Sequence, residues 1–117
     1  MKHELTHIKL LQKSKKVLLT FDGERVFELP CEYLRVYSPS AEVRGHGKSV
    51  LQTNKKNVNI ISIEPVGNYA VKLMFDDGHQ TGIYSFETLH DLSINYHENW
   101  QHYVEQLDRA GLSREEK

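Results

Sequence analysis

Val66-Gly67-Asn68-Tyr69-Ala70-Val71-Lys72-Leu73-Met74-Phe75-Asp76-Asp77-Gly78-His79-Gln80-Thr81-Gly82-Ile83-Tyr84-Ser85-Phe86-Glu87-Thr88-Leu89 reads as a strand, a tight turn, a second strand and the start of a helix. Val71, Leu73 and Phe75 alternate with Ala70, Lys72 and Met74, the period of a half-buried strand. Asp76-Asp77-Gly78 is turn chemistry, because glycine accepts the positive φ that a hairpin loop needs. A loop at Asp77-Gly78 sets Phe75 opposite Gln80 and Leu73 opposite Gly82. A longer loop, Asp76 to Gly78 with Gly78 left-handed, sets Leu73 opposite Thr81 and Val71 opposite Ile83. The longer loop keeps apolar groups on one face and is the expected one, since a one-residue slip flips every side chain. It also sets His79 beside Phe75. Ser85 is placed to cap the following helix, with Glu87 in its first turn facing the positive end of the dipole.

Upstream, His7 to Leu11 suits an opening edge strand, and Lys13-Ser14-Lys15-Lys16 a basic turn. Val17 to Phe21 and Arg25 to Leu29 flank Asp22-Gly23, a strong hairpin signal. Pro30 cannot continue a central ladder but suits a helix start, so Cys31 to Tyr37 is expected as a short helix ended by Ser38-Pro39. Ser40 to Lys56 reads as a long loop, with room for a short strand near Ser49 to Leu51; loops of this length carry function or are floppy. Val58 to Pro65 is the next strand.

Downstream, Phe86, Leu89 and Leu92 are spaced to face a sheet. Asn95 with Glu98 resembles a capping box, and Trp100, Tyr103, Val104 and Leu107 form one apolar stripe. Gly111 sits where a left-handed residue ends a helix, with Leu112 placed to touch Leu107. The fold class expected is α+β: a bent antiparallel sheet of about five or six strands, a short helix after Pro30 and C-terminal helices.

The chain has 117 residues, which sets one domain spanning 1–117 as the expectation. With 15 basic and 16 acidic residues the formal charge is -1, which gives no whole-chain pull toward nucleic acid. One cysteine, Cys31, excludes an intramolecular disulfide and any cysteine-pair metal site, and sets the cytoplasm as the expected compartment. No apolar run is long enough to span a membrane, and Met1 to His7 lacks an apolar signal core.

Leu29-Pro30-Cys31-Glu32-Tyr33-Leu34-Arg35-Val36-Tyr37-Ser38-Pro39-Ser40-Ala41-Glu42 looks like the first motif of a known family. Gly67-Asn68-Tyr69-Ala70, Phe75 to His79 and Thr81 to Ser85 look like its second. Together they resemble the gamma-butyrobetaine hydroxylase-like N-terminal domain family in its small free-standing bacterial form, over roughly residues 5 to 92. In carnitine-pathway oxygenases this domain precedes a catalytic domain that uses iron and 2-oxoglutarate, and it carries no catalytic residues itself. There it holds a structural zinc through three cysteines and a histidine. The matching positions here are Ser38, Ser40 and Val43, with His79 as the histidine. Three of those four ligands are replaced by groups that do not hold zinc in a closed tetrahedral site. The family also occurs fused to P-loop iron–sulfur carriers, an association that implies a link to iron–sulfur assembly by analogy. Gly45-His46-Gly47-Lys48-Ser49 lacks the spacing of a phosphate loop.

The functional expectation is a non-catalytic binding or adaptor domain with a protein partner, accessory to iron or iron–sulfur metabolism, as a monomer or weak homodimer. Its contact residues are Arg35, Ser38, Glu42, His46 and His79. No resident cofactor is expected. The alternative is a metal-binding protein in which His46 and His79 hold zinc or iron, the site being completed by a partner or dimer. Against it, His79 reads equally as a polar residue closing a turn, and His46 as a loop residue. His97 and His102 are five apart rather than the four that stack ligands on a helix face. Cys31 is either a thiol activated at a helix start or a small buried apolar residue. Arg35 is either an anion reader or half of an ion pair with Glu42 or Glu87. The tyrosines are expected in the core with hydroxyls at the rim. The lysine clusters around Lys13 to Lys16 and Lys48 to Lys56 read as solvated surface rather than a nucleic-acid site.

Overall fold

The computed structural model describes residues 3–38, 56–78 and 82–112. Ser40, Glu42, Val43, His46 and His79 lie outside them, as does the strand suggested near Ser49 to Leu51.

In chain order the elements are β1 (Leu5–Leu11), β2 (Lys16–Phe21), β3 (Arg25–Pro30), α1 (Cys31–Val36), β4 (Ile60–Val66), β5 (Ala70–Phe75), β6 (Gly82–Ser85), α2 (Phe86–Ile94) and α3 (Tyr96–Arg109). The α+β class expected from the sequence holds, with six strands among the described residues. They do not form one bent sheet, however. β1-β2-β3 and β4-β5-β6 are separate antiparallel meanders. The break falls where α1 carries the chain away from β3. Near that corner side chains replace the backbone ladder: the Asn59 amide donates to the Gln12 carbonyl at 3.0 Å, and the Gln12 amide to the Ile60 carbonyl at 3.4 Å.

Alternation sets the inward face of each meander. Val17, Leu19 and Phe21 of β2 are fully buried, as are Leu73 and, within 1%, Phe75 of β5. With Leu29, Tyr33, Leu34, Ile60, Tyr84 and Leu89 they make one core, in which each fully buried Leu or Phe contributes roughly 1.5–3 kcal/mol. The first hairpin forms as its Asp-Gly pair dictates. Asp22 and Gly23 both have positive φ, and the Glu24 amide donates to the Phe21 carbonyl at 3.1 Å. Pro65 lies within β4, which is an edge strand and therefore tolerates a residue without an N–H.

The register of the β5–β6 hairpin departs from expectation by one residue. Leu73 lies opposite Gly82, Lys72 opposite Ile83 and Val71 opposite Tyr84. Gly78 is left-handed all the same, at φ 92°. The reason is Tyr84. Its ring, rather than the Ile83 side chain, enters the core, while Ile83 is 48% exposed. Gly82 makes room for it: a Cβ there would stand 2.9 Å from the Tyr84 ring.

Ser85 caps α2 as expected, accepting from the Thr88 amide at 3.1 Å. Asn95 does not form the capping box. Its side chain turns back to donate to the Asp91 carbonyl at 3.0 Å, closing the end of α2 instead of opening α3. Only a one-residue junction separates the two helices, so the preceding carbonyls are the nearer partners. On α3, Tyr103 and Leu107 are buried and Trp100 half-buried, but Val104 is 40% exposed. The helix ends as expected at Gly111, φ 68°. Leu112 N–H donates to Leu107 O at 2.9 Å, and Gly111 N–H to Asp108 O at 3.1 Å.

Candidate functional site: the corner where the two motifs meet

α1 begins directly after Pro30 and is buried on every side. Its last turn delivers Arg35 toward the β5–β6 turn. The Arg35 side chain is 3% exposed, and its Nε donates to Asp77 Oδ2 at 2.8 Å. Its ion-pair partner is thus Asp77 rather than Glu87, whose carboxylate accepts from the His3 backbone amide at 2.6 Å. Glu42, the other expected partner, is outside the described residues.

Ser38 follows the helix, with its amide donating to the Arg35 carbonyl at 3.3 Å. It is 2% exposed. Its Oγ lies 3.1 Å from where a Cβ on Gly82 would stand, and its hydroxyl is hydrogen-bonded to that of Tyr84. The Tyr84 hydroxyl in turn donates to the Leu34 carbonyl. Burial pushes the Tyr84 phenol far up; Ser38 and Arg35 pull the other way, and Asp77 reinforces the rise. Arg35, Ser38, Asp77, Gly82 and Tyr84 therefore converge on one buried corner. The first motif supplies two of them and the second motif three.

The position that matches the family's first zinc cysteine is thus a buried serine committed to a tyrosine hydroxyl. A neutral hydroxyl in that role is not a zinc ligand, and Ser40 and Val43 add no thiolate. The residues present do not fit the three-cysteine, one-histidine zinc set. Among the described residues, no group of three or more His, Cys, Asp or Glu side chains could hold a metal ion.

The remaining candidates take structural or surface positions. Cys31 is fully buried, with its thiol 3.7 Å from Asn59 Oδ1, and burial pushes it up to about 11. That is the opposite of an activated thiolate. His97 and His102 are exposed on α3. Tyr69 is 60% exposed, whereas Tyr33 and Tyr84 are fully buried with hydroxyls that end on carbonyls deep inside rather than at the rim. Tyr33 donates to Leu92 O at 2.6 Å and accepts from the Asn99 amide at 3.1 Å; burial pushes its phenol up to about 12. Lys16 faces Glu28 at 3.4 Å on the surface.

A second cluster escaped the sequence reading. The rings of His3 and His90 stack at 3.5 Å between centroids and 6° between planes. Arg25 approaches His90 Nε2 at 3.5 Å. Phe86, Leu89, His90 and Ser93 share the spacing of one helix stripe, the one signal that could have placed His90 inward. Nothing local pointed to His3. Beside this stack lies a cleft of about 420 Å³, lined by His3, Glu4, Asn68, Tyr69, Ser85, Phe86 and Glu87.

Two short meanders clasping a buried helix, with motif side chains spent on internal bonds, define a small α+β domain. The chain belongs to the family described as gamma-butyrobetaine hydroxylase-like, N-terminal, whose model matches residues 8–90. Two NMR solution structures are similar to it. One shares 55% identity at a TM-score of 0.86, covering 97% of this chain and 86% of that one. The other shares 42% at 0.88, covering 98% and 92%. A crystal structure of a protein of unknown function in the DUF971 family, from Acidithiobacillus ferrooxidans ATCC 23270, shares 33% identity at a TM-score of 0.66, covering 77% of this chain and 92% of that one. No curated protein matches. Among the described residues no helix is long and apolar enough to cross a membrane.

Proposed function

We propose that this chain is a non-catalytic adaptor domain that docks on a protein partner at the corner where its two motifs meet. The observation that carries the reading is the Arg35–Asp77 bond. It fixes the end of α1, from which the chain leaves toward Glu42 and His46, against the turn that leads to His79. Arg35 and Ser38 act from beneath the surface, as struts for those two segments. The Arg35 Nε and the Ser38 hydroxyl are engaged inside the fold, which is work for a scaffold rather than for proton or group transfer. The setting proposed is cytoplasmic, with the chain as a monomer or weak homodimer. A role beside iron or iron–sulfur metabolism rests on the family's fusions alone.

The test is capture from native extract with the whole chain as bait. One partner should be enriched by the wild type and lost with a Glu42→Ala, His46→Ala, His79→Ala variant of unchanged thermal stability. Retention of that partner by the variant overturns the reading. The alternative, metal held by His46 and His79, rests on sequence only. Elemental analysis of tag-free protein decides it: close to one zinc or iron per chain, lost in the double histidine variant, would replace the adaptor reading.

A further inference from the structure

The stacked imidazoles occupy a place with consequences for the cleft beside them. His3 contributes to the cleft wall and precedes β1. Three further bonds hold this N-terminal edge. The His3 amide donates to Glu87 Oε2 at 2.6 Å, the Glu4 amide to Asp22 Oδ1 at 3.1 Å, and the Asp22 amide to the Glu4 carbonyl at 2.8 Å. We propose that His3 and His90 form a proton-operated clasp, which keeps the N-terminal edge of the cleft closed near neutral pH and releases it on acidification.

The charges around the pair make the clasp one-sided. Nδ1 of His3 lies 3.6 Å from Asp22 Oδ2, so that ring has a carboxylate beside it. His90 is placed differently. The edges of its ring packing are Phe21 at 5.2 Å and Phe27 at 6.3 Å. Its Nε2 faces the Arg25 guanidinium, which only donates, so that nitrogen serves as an acceptor and carries no proton. Arg25 is itself held over the Phe27 ring at 5.3 Å. Burial, His3 and Arg25 all hold His90 below the usual histidine range; Asp91 and Glu87 oppose them more weakly. Protons on both rings would put two cations face to face at stacking distance, with the Arg25 guanidinium a third at Nε2. The stack opens rather than accept it, and His3 leaves the cleft wall.

The sign follows. Because the folded state holds His90 below its unfolded value, the clasp is fully closed above about pH 6.5 and is lost as pH falls from there. Amide hydrogen exchange by NMR, corrected for intrinsic rates, reads it on the Glu4 and Asp22 amides, with Leu73 as the core reference. Between pH 7.5 and 5.5, Asp22 protection should drop by up to about tenfold, the ceiling for one linked proton, while that of Leu73 holds. In His90→Phe, which keeps a flat ring but cannot titrate, Asp22 protection should become pH-independent; in His3→Phe, where His90 titrates without a facing cation, its pH dependence should shrink. Constant protection in the wild type overturns the clasp. So does an equal loss in the variants; should His90→Phe fail to fold, His3→Phe at the surface decides alone.

Discussion

Arg35 Nε meets Asp77 Oδ2 at 2.8 Å across the gap between α1 and the β5–β6 turn, joining residues 42 positions apart. The guanidinium is almost wholly buried, while the carboxylate keeps a fifth of its surface in solvent. Removing one partner of such a pair strands a charge away from water. Asp77→Ala, which takes the counter-charge from the buried guanidinium, should therefore destabilise the fold by about 3 kcal/mol, and Arg35→Ala, which leaves a partly solvated carboxylate, by a similar or smaller amount. Urea unfolding of both single variants and the double variant checks this. The double variant should lose clearly less than the sum.

Gly82→Ala tests the register. The added methyl meets the Tyr84 ring at 2.9 Å and Ser38 Oγ at 3.1 Å, both in the packed interior. Overpacking of this kind should cost about 1–3 kcal/mol in unfolding free energy. Tyr84→Phe on its own leaves the Leu34 carbonyl without its hydroxyl donor, which should cost about 1–3 kcal/mol. In the combined variant the methyl still faces the ring, so Tyr84→Phe should not rescue Gly82→Ala.

Cys31 should govern part of the alkaline limit. Burial raises its thiol from an ordinary 9 to about 11. The folded state thus favours the protonated form: its contribution is complete below pH 9 and is lost as pH climbs toward 11. Melting temperature should fall through this interval in the wild type and fall less steeply in Cys31→Ala. The residual slope belongs to the buried phenols: Tyr33, which rises from 10 to about 12, with Tyr84 and Tyr37, which burial also raises. At neutral pH a thiol reagent should label Cys31 only at the rate of unfolding.

Gly111→Ala should cost about 1 kcal/mol, because the residue stands at φ 68° with open space around it. The loss is conformational, so Gly111→Asn should recover part of it. Denaturant midpoints of the two variants settle the order.

Much of the fold was legible because local chemistry and tertiary packing agree. Asp22-Gly23, Ser85 and Gly111 each demand one conformation, and each adopts it. Reading fell short where the deciding partner is remote. Ile83 and Tyr84 are both apolar enough for the core, and only the Leu34 carbonyl, 50 residues away, selects the tyrosine. Asn95 had a plausible capping partner ahead of it, yet found a closer carbonyl behind. Division into two sheets depends on where α1 departs, which hydrophobic alternation does not encode. At the candidate site, the motifs identified Arg35 and Ser38, but Asp77 as the counter-charge follows only from the turn's placement. The His3–His90 stack pairs residues from opposite ends of the chain, beyond the reach of any periodicity.

Tyr33 has one last implication. Its hydroxyl is shared between Leu92 and Asn99, the neighbouring Tyr37 donates to the Asn99 carbonyl, and Val36 packs with Tyr103 and Leu107. The match to the family ends at residue 90, before Leu92, Asn99, Tyr103 and Leu107, the partners in all of those contacts. A fragment trimmed to that boundary would bare an aromatic flank and gather into aggregates. In this chain the stretch matched to the family is thus shorter than the stretch that closes its own aromatic flank.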